Sequence, residues 1–379
     1  MVRGRRDGIL IAGGGLAGCL AALALARHRP ELPFLIVEEK QTFGGDGYRL
    51  FADADLHADA RALIAPFVTG HWPGFYTAFP GFTRKLRAEQ SGFAAADLHA
   101  HMIAALTEKQ YLLGTRVVAV REDALVLDGG ETLKAQGAID ARGAANLSTL
   151  DLFYEAGLER DYRFRAPHRV DRPVLIDATV DQAGGLRFVR CIPVEEDRLV
   201  LADVCLSDRA EADEGAGARL DAYVKARGWQ KKRLLGERTT SRPLPLGGDF
   251  AAFWRLGGHR VAKLGLRGGF VHPLTGATIA DAAETALLLA AQRDFSGGAL
   301  HDLFAAETRT LWKRREPLRA ATAAFAAAPA EERRALAESL ARLDPAIITR
   351  LRADRLGLLD RMRVQKALKP GRSRSETGT

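Results

Sequence analysis

The stretch Gly8–Glu39, "GILIAGGGLAGCLAALALARHRPELPFLIVEE", follows the arginine cluster of "VRGRRD" and decides how the rest of the chain is read. Gly8 to Ala26 carry no charge. An uncharged run behind basic residues suits a signal peptide, a membrane anchor, or the first strand and helix of a nucleotide-binding domain. Its internal order chooses among them. A short apolar run to Ala12 meets Gly13-Gly14-Gly15-Leu16-Ala17-Gly18, an Ala/Leu stretch continues to Ala26, and Arg27-His28-Arg29 with Pro30 close it. That order is strand, tight turn, helix, helix stop. Gly13, Gly15 and Gly18 fit G-x-G-x-x-G: the first allows the turn, the second admits a pyrophosphate to the backbone, and the third lets helix and strand pack closely. Phosphates would then lie on the free N–H groups of the helix N-terminus. "PFLIVEE" reads as a second buried strand ending in Glu38, 20 residues after Gly18 and placed to accept hydrogen bonds from a ribose diol. A signal peptide has no use for Asp7 beside its core or for the glycines within it, and a spanning helix would not run into a strand and an acid. The segment is expected to be retained and folded.

The 379 residues leave room for two subdomains, and 47% hydrophobic content is that of an ordinary globular protein. Cys19, Cys191 and Cys205 form no CxxC pair and no Cys/His cluster, which implies a reducing compartment and no metal site. The net charge of +8 suits an anionic membrane surface, and equally a soluble arginine-rich protein. No base-stacking platform or basic recognition helix is present, so nucleic acid is not expected as a partner.

Beyond Glu38, Gly44-Gly45 marks a loop, and Asp53 to Arg87 reads as irregular and aromatic-rich. An amphipathic helix ("AAADLHAHMIAALTEK") follows, then successive strands, and "AIDARG" (Ala138–Gly143) returns the chain to the nucleotide sheet. Leu150 to Trp254 is strand-rich and suits an antiparallel sheet. Pro273, Thr275 and Gly276 precede a long Ala/Leu helix whose N-terminal amides could face an electron-rich ring or a phosphate. From Asp302 the chain is helical and arginine-rich, with a disordered tail expected at 370–379.

These motifs resemble the bacterial lycopene β-cyclases. The likeness rests on "GGGLAGCLAALAL", Gly44-Gly45, "IAPFV" with "HWPGF", "DATVDQAGGLRFV" (Asp177–Val189), "LPLGGDFAAFW" (Leu244–Trp254) and "GLRGGFVHPLTG" (Gly265–Gly276). The resemblance implies an α/β fold: a Rossmann-type FAD-binding domain (1–50, 97–150, 255–295), an antiparallel-sheet substrate domain (51–96, 151–254) and C-terminal helices (296–369). It implies reduced FAD as cofactor, NADPH as electron source, and an isomerase that turns linear lycopene ends into β-ionone rings with no net redox change. It also implies a cytoplasmic protein, peripheral on the inner face of the membrane. Gly13, Gly15, Gly18, Glu38, Gly44, Gly45, Asp140, Pro273, Thr275 and Gly276 are the expected cofactor-binding residues.

The catalytic positions depart from the family. Its acidic Glu-Asp pair falls on Ala202 and Asp203, its Asn-His-Thr-Trp on Asp46-Gly47-Tyr48-Arg49, and its Tyr after "HP.TG" on Ala277. Asp203 and Asp46 are the remaining candidate acids. Strand neighbours point to opposite faces, so Asp203 replaces a side chain at 202 only through a bulge, and otherwise is hydrogen-bonded on the other face. Asp46 is either an acid beside the flavin or a turn former. Trp312, Leu318 and Phe325 beside Lys313, Arg314 and Arg315 offer a surface-seeking face. Cyclisation of a carotenoid is the leading reading; a redox flavoenzyme (hydroxylase or polyene reductase) and a non-catalytic flavin- or isoprenoid-binding protein stand beside it.

Overall fold

The computed structural model describes residues 7–182 and 184–369, so the expected tail lies outside the described residues. The chain forms two compact units: Met1–Pro73, Ala88–Asp151 and Gly247–Glu316 make the first, Gly74–Arg87, Leu152–Leu246 and Pro317–Thr379 the second.

The first unit is built on a parallel sheet in the order Ala262–Lys263, Gly137–Asp140, Ile9–Ala12, Phe34–Val37, Tyr111–Leu112. Its central strand is apolar at every position because both faces are covered. Ile9 and Ile11 enter a core shared with the helices Leu16–His28 and Ile279–Ala290, whereas Leu10 and Ala12 pack with Val120 and Leu125 of a small antiparallel sheet. The helix Leu16–His28 is itself buried on most sides, from Gly18 through Leu25. This explains why its sequence resembles a membrane segment: it is enclosed by protein.

The stretch 53–87 is more ordered than its prolines and glycines suggest. Ala58–Ile64 is a helix, Gly70–Trp72 joins Tyr48–Ala52 and Gln90–Ala94 in a sheet of the first unit, and Phe75–Phe79 and Phe82–Leu86 form a hairpin in the second. The expected segment 51–96 is therefore divided between the units. Phe75, Thr77 and Phe79 are buried while Tyr76 and Ala78 are less so, the alternation of a half-covered strand. The C-terminal helices do not form a body of their own either. Gly297–Arg314 buries Leu300, Phe304 and Leu311 in the first unit's core, and later helices belong to the second unit.

The second unit carries a seven-stranded sheet in the order Lys231–Gly248, Leu150–Phe164, Arg198–Ser207, Leu186–Glu195, Val174–Asp177, Phe75–Phe79, Phe82–Leu86. The helix Ala216–Ala226 covers one face, where Leu220 and Val224 meet Val189, Cys191, Leu199 and Leu201. Leu318 and Phe325 are buried, and Phe325 packs edge-on against Phe153. In the first unit Trp312 stacks on Phe250 at 4.5 Å. The expected surface-seeking face of Trp312, Leu318 and Phe325 is therefore corrected: each has an aromatic or core neighbour that holds it inside its own unit.

Lys263 ends the edge strand of the parallel sheet with only 1% of its surface exposed. Its ammonium donates to the carbonyls of Trp254 and Leu256, closing the helix Phe250–Arg255, and stands 5.1 Å from the Trp254 ring centre. Burial lowers its pKa to about 8, with Asp140 pulling upward and Arg267 downward. The unfolded chain binds the proton up to its ordinary value, so stability rises with pH between about 8 and 10.5. The contribution is about 3 kcal/mol across that window. Urea unfolding at pH 7.5 and pH 10 should show the rise in the parent protein and lose it in Lys263→Met.

Candidate functional site

Residues of the first unit enclose a cleft of about 480 Å³ at the C-terminal ends of the parallel strands. Gly13, Gly15, Leu16 and Ala17 line it, placing the N-terminal turn of Leu16–His28 at its wall. That turn carries no acidic residue, so its amides are open to an anion. Gly13 has φ +101°, and a Cβ on Gly18 would stand 1.9 Å from the Gly13 carbonyl oxygen. The turn thus depends on missing side chains for its shape. A Cβ on Gly15 would meet no protein atom within 4 Å, which leaves that side of the turn open to a ligand.

Glu38 lines the same cleft, at the end of Phe34–Val37. Its carboxylate accepts from the backbone N–H of Gly14 and of Lys40, so the acid is fixed beside the glycine turn. Gly44 donates its N–H to Gly14 O at 2.7 Å, and Gly45 lines the cleft next to Arg49, whose guanidinium donates to Gly44 O. Cys19 donates its thiol to Gly14 O, and burial pushes that thiol up to about 12, so its role is structural.

Asp140 ends the strand Gly137–Asp140, beside the cleft residues Ala141 and Arg142. It does not line the cleft; it is 1% exposed and binds Arg142 through both oxygens, with Arg267 Nε 3.2 Å from Oδ2. Burial works against the Asp140 anion, yet the Arg142 hydrogen bonds and the two guanidinium charges prevail and hold the carboxyl below its usual range. The side chains that face the cleft are Arg142 and Arg267, joined by Lys40, Arg49 and Arg116. Five cations against Glu38 and Glu39 make a basic cleft, suited to an anionic ligand. Single arginines in an arginine-rich chain gave no sequence signal for this role.

Pro273, Thr275 and Gly276 lie in sequence between Arg267 and Thr278, two residues of the cleft wall. They form a closed turn in which Gly276 N–H donates to His272 O and His272 N–H to Ala277 O. None of the three lines the cleft; Gly265, Leu266, Thr278 and Ala282 do, on either side of them in sequence.

The two expected acids are both engaged by cations. Asp46 shares Lys40 at the surface, where both side chains are about half exposed. Asp203 is 2% exposed, one oxygen accepting from Arg187 Nε and the other from Arg219 Nε, each at 2.8 Å. No bulge turns it toward the face of Ala202: the register of its strand runs unbroken past Leu158 and Val189. Both oxygens of Asp203 act as acceptors on the face opposite Ala202, the second of the two arrangements expected for this acid. Asp177 of "DATVDQ" is likewise structural, accepting from Thr179, Tyr223 and Arg227.

Among solved structures, a geranylgeranyl bacteriochlorophyll reductase-like protein from Thermoplasma acidophilum shares this fold with a TM-score of 0.65 at 14% identity, covering 96% of this chain and 99% of that one. A flavin-dependent brominase shares it with a TM-score of 0.60 at 13% identity, covering 96% and 98%. In sequence, the lycopene beta-cyclase of Pantoea ananas is 31% identical over 368 residues, 96% of this chain and 94% of that protein. Residues 8–377 match the family described as "Lycopene cyclase protein", and the chain belongs to that family.

Proposed function

We propose that the chain is an FAD-dependent carotenoid cyclase that closes a linear lycopene end into a β-ring, giving γ- and β-carotene. The observation that carries the reading is the basic cleft at the glycine turn in a chain that matches its family almost end to end. The amides after Gly15, with Arg142 and Arg267, would hold the pyrophosphate, and Glu38 a ribose. Bound reduced flavin, with NADPH as electron source, supplies negative charge that stabilises a carbocation. The reaction adds a proton to an end-group double bond, lets the neighbouring double bond attack the cation, and returns a proton, so atoms and electrons balance. The proton is assigned to the Asp46 carboxyl, since Gly45 beside it and its partner Lys40 both line the cleft.

The engagement of Asp46 by Lys40 and of Asp203 by two arginines favours a second reading, a flavin redox reaction on a polyene. Anaerobic incubation with lycopene in liposomes, FAD and NADPH separates the two. Cyclised carotenoid without matching NADPH loss supports the first, and Asp46→Asn should then lower turnover at least tenfold. NADPH consumed in step with a changed polyene supports the second. Unchanged lycopene with bound flavin would end the cyclase reading for this chain.

Membrane contact is assigned to the helix Leu358–Ala367. No helix of the described residues is long and apolar enough to cross a membrane. Leu358, Leu359 and Met362 are 75%, 68% and 59% exposed, sit within one turn of each other, and are flanked by exposed Arg361, Arg363 and Lys366. Apolar groups ringed by cations fit an anionic bilayer surface. The protein should co-sediment with phosphatidylglycerol vesicles, and Leu358→Asp with Leu359→Asp should weaken that binding at least tenfold.

A further inference from the structure

The cleft of the first unit divides by charge. Among the described residues, Glu38 and Glu39 are the acids of its wall, and Lys40 and Arg116 stand with them. Glu38 accepts from the Lys40 N–H, and Thr115, next to Arg116, donates its N–H to the Glu38 carbonyl. Arg142 reaches the same end through the Val117 carbonyl and shares Asp140 with Arg267. The rest of the wall is Gly45, Arg49, Gly265, Leu266, Thr278 and Ala282, uncharged residues around one guanidinium.

Arg49 is half-buried and tied to the glycine turn by a chain of hydrogen bonds. Its Nη2 donates to Gly44 O, the Gly44 N–H donates to Gly14 O, and the Gly14 N–H donates to the Glu38 carboxylate. Gly44 and Gly45 hold φ of +86° and +72°, a bend that a side chain at either place would strain. The backbone of Arg49 is fixed as well, because Tyr48–Ala52 pairs with Gln90–Ala94. Burial raises the Cys19 thiol most, and the Arg49 charge is felt there, pulling the other way. A guanidinium held at a half-buried wall favours the charged form of an acid beside it more than it would in water.

The reading above assigns the turn amides, Arg142 and Arg267 to the pyrophosphate and Glu38 to a ribose, which leaves the Arg49 end for the ring. We propose that Arg49 faces the flavin ring and keeps the reduced cofactor anionic, by favouring loss of the ring N1 proton to solvent. The inference rests on the FAD reading and names the residue that fixes the charge of that cofactor. It is tested on the FAD-loaded full chain, reduced anaerobically with dithionite and titrated with pH, the absorption spectrum separating anionic from neutral reduced flavin. The parent is expected to keep the anionic spectrum to about one pH unit below free reduced FAD, a shift of about tenfold in the proton equilibrium. Arg49→Gln should remove that shift, and Arg49→Lys, which keeps the charge, should retain most of it. A parent that titrates like free FAD would overturn the role of Arg49 while the FAD reading stands, and so would an undiminished shift in Arg49→Gln. A parent that binds no FAD would remove both. Arg49→Met, neutral and of similar length, makes the same test should Arg49→Gln fail to fold.

Discussion

Gly15→Ala is expected to purify as a stable protein that has lost its flavin, whereas Gly18→Ala is expected to lose both flavin and stability. The two substitutions add the same methyl group three residues apart in one turn. At Gly15 the new carbon meets no protein atom within 4 Å, so unfolding should be unchanged. Its cost falls on whatever occupies the open side of the turn, and flavin retained after gel filtration should drop at least tenfold. At Gly18 the carbon stands 1.9 Å from Gly13 O, backbone that cannot swing aside. Helix and strand must part, which costs about 2–3 kcal/mol in a packed interior. Flavin absorbance per chain and thermal unfolding measured together check both. Full flavin content in Gly15→Ala would remove the phosphate seat from this turn.

Asp203→Asn is expected to behave as a stability mutation. It keeps the shape of the side chain and removes the charge that two arginines share, leaving Arg187, 6% exposed, without its counter-ion. Breaking a buried pair from one side costs about 3 kcal/mol. Urea unfolding should register that loss, while turnover per folded molecule stays within threefold of the parent. An acid essential to the chemistry would give the reverse pattern, with normal unfolding and turnover abolished.

How much of this was legible in the sequence depends on the distance over which each feature is determined. The glycine turn and Glu38 are read from about thirty consecutive residues because strand, turn, helix and acid are adjacent along the chain, and the structure places them around one cleft. The two arginines that Asp140 holds were not legible beside it. Its partner Arg267 lies more than a hundred residues away, and no local pattern distinguishes an acid that touches a ligand from one that aims arginines at it. The hairpin Phe75–Phe79 with Phe82–Leu86 was hidden by prolines and glycines, which are its turns rather than signs of irregularity. Ala202 marked a departure from the family. What surrounds it became visible only through cross-strand register, since Glu159 and Arg190 lie 43 and 12 residues away on opposite sides.

The parallel sheet of the first unit is finished by its last strand, Ala262–Lys263, and the cleft wall by Gly265 to Ala282. On the ribosome, Gly13 and Glu38 therefore emerge long before the residues that close the cleft around them. For most of its synthesis the nascent chain holds half of a nucleotide seat, with the apolar faces of Ile9–Ala12 and Leu16–His28 lacking their cover from Ile279–Ala290. A ligand of this cleft can then be captured only late, once the strands and helix that complete the fold have emerged.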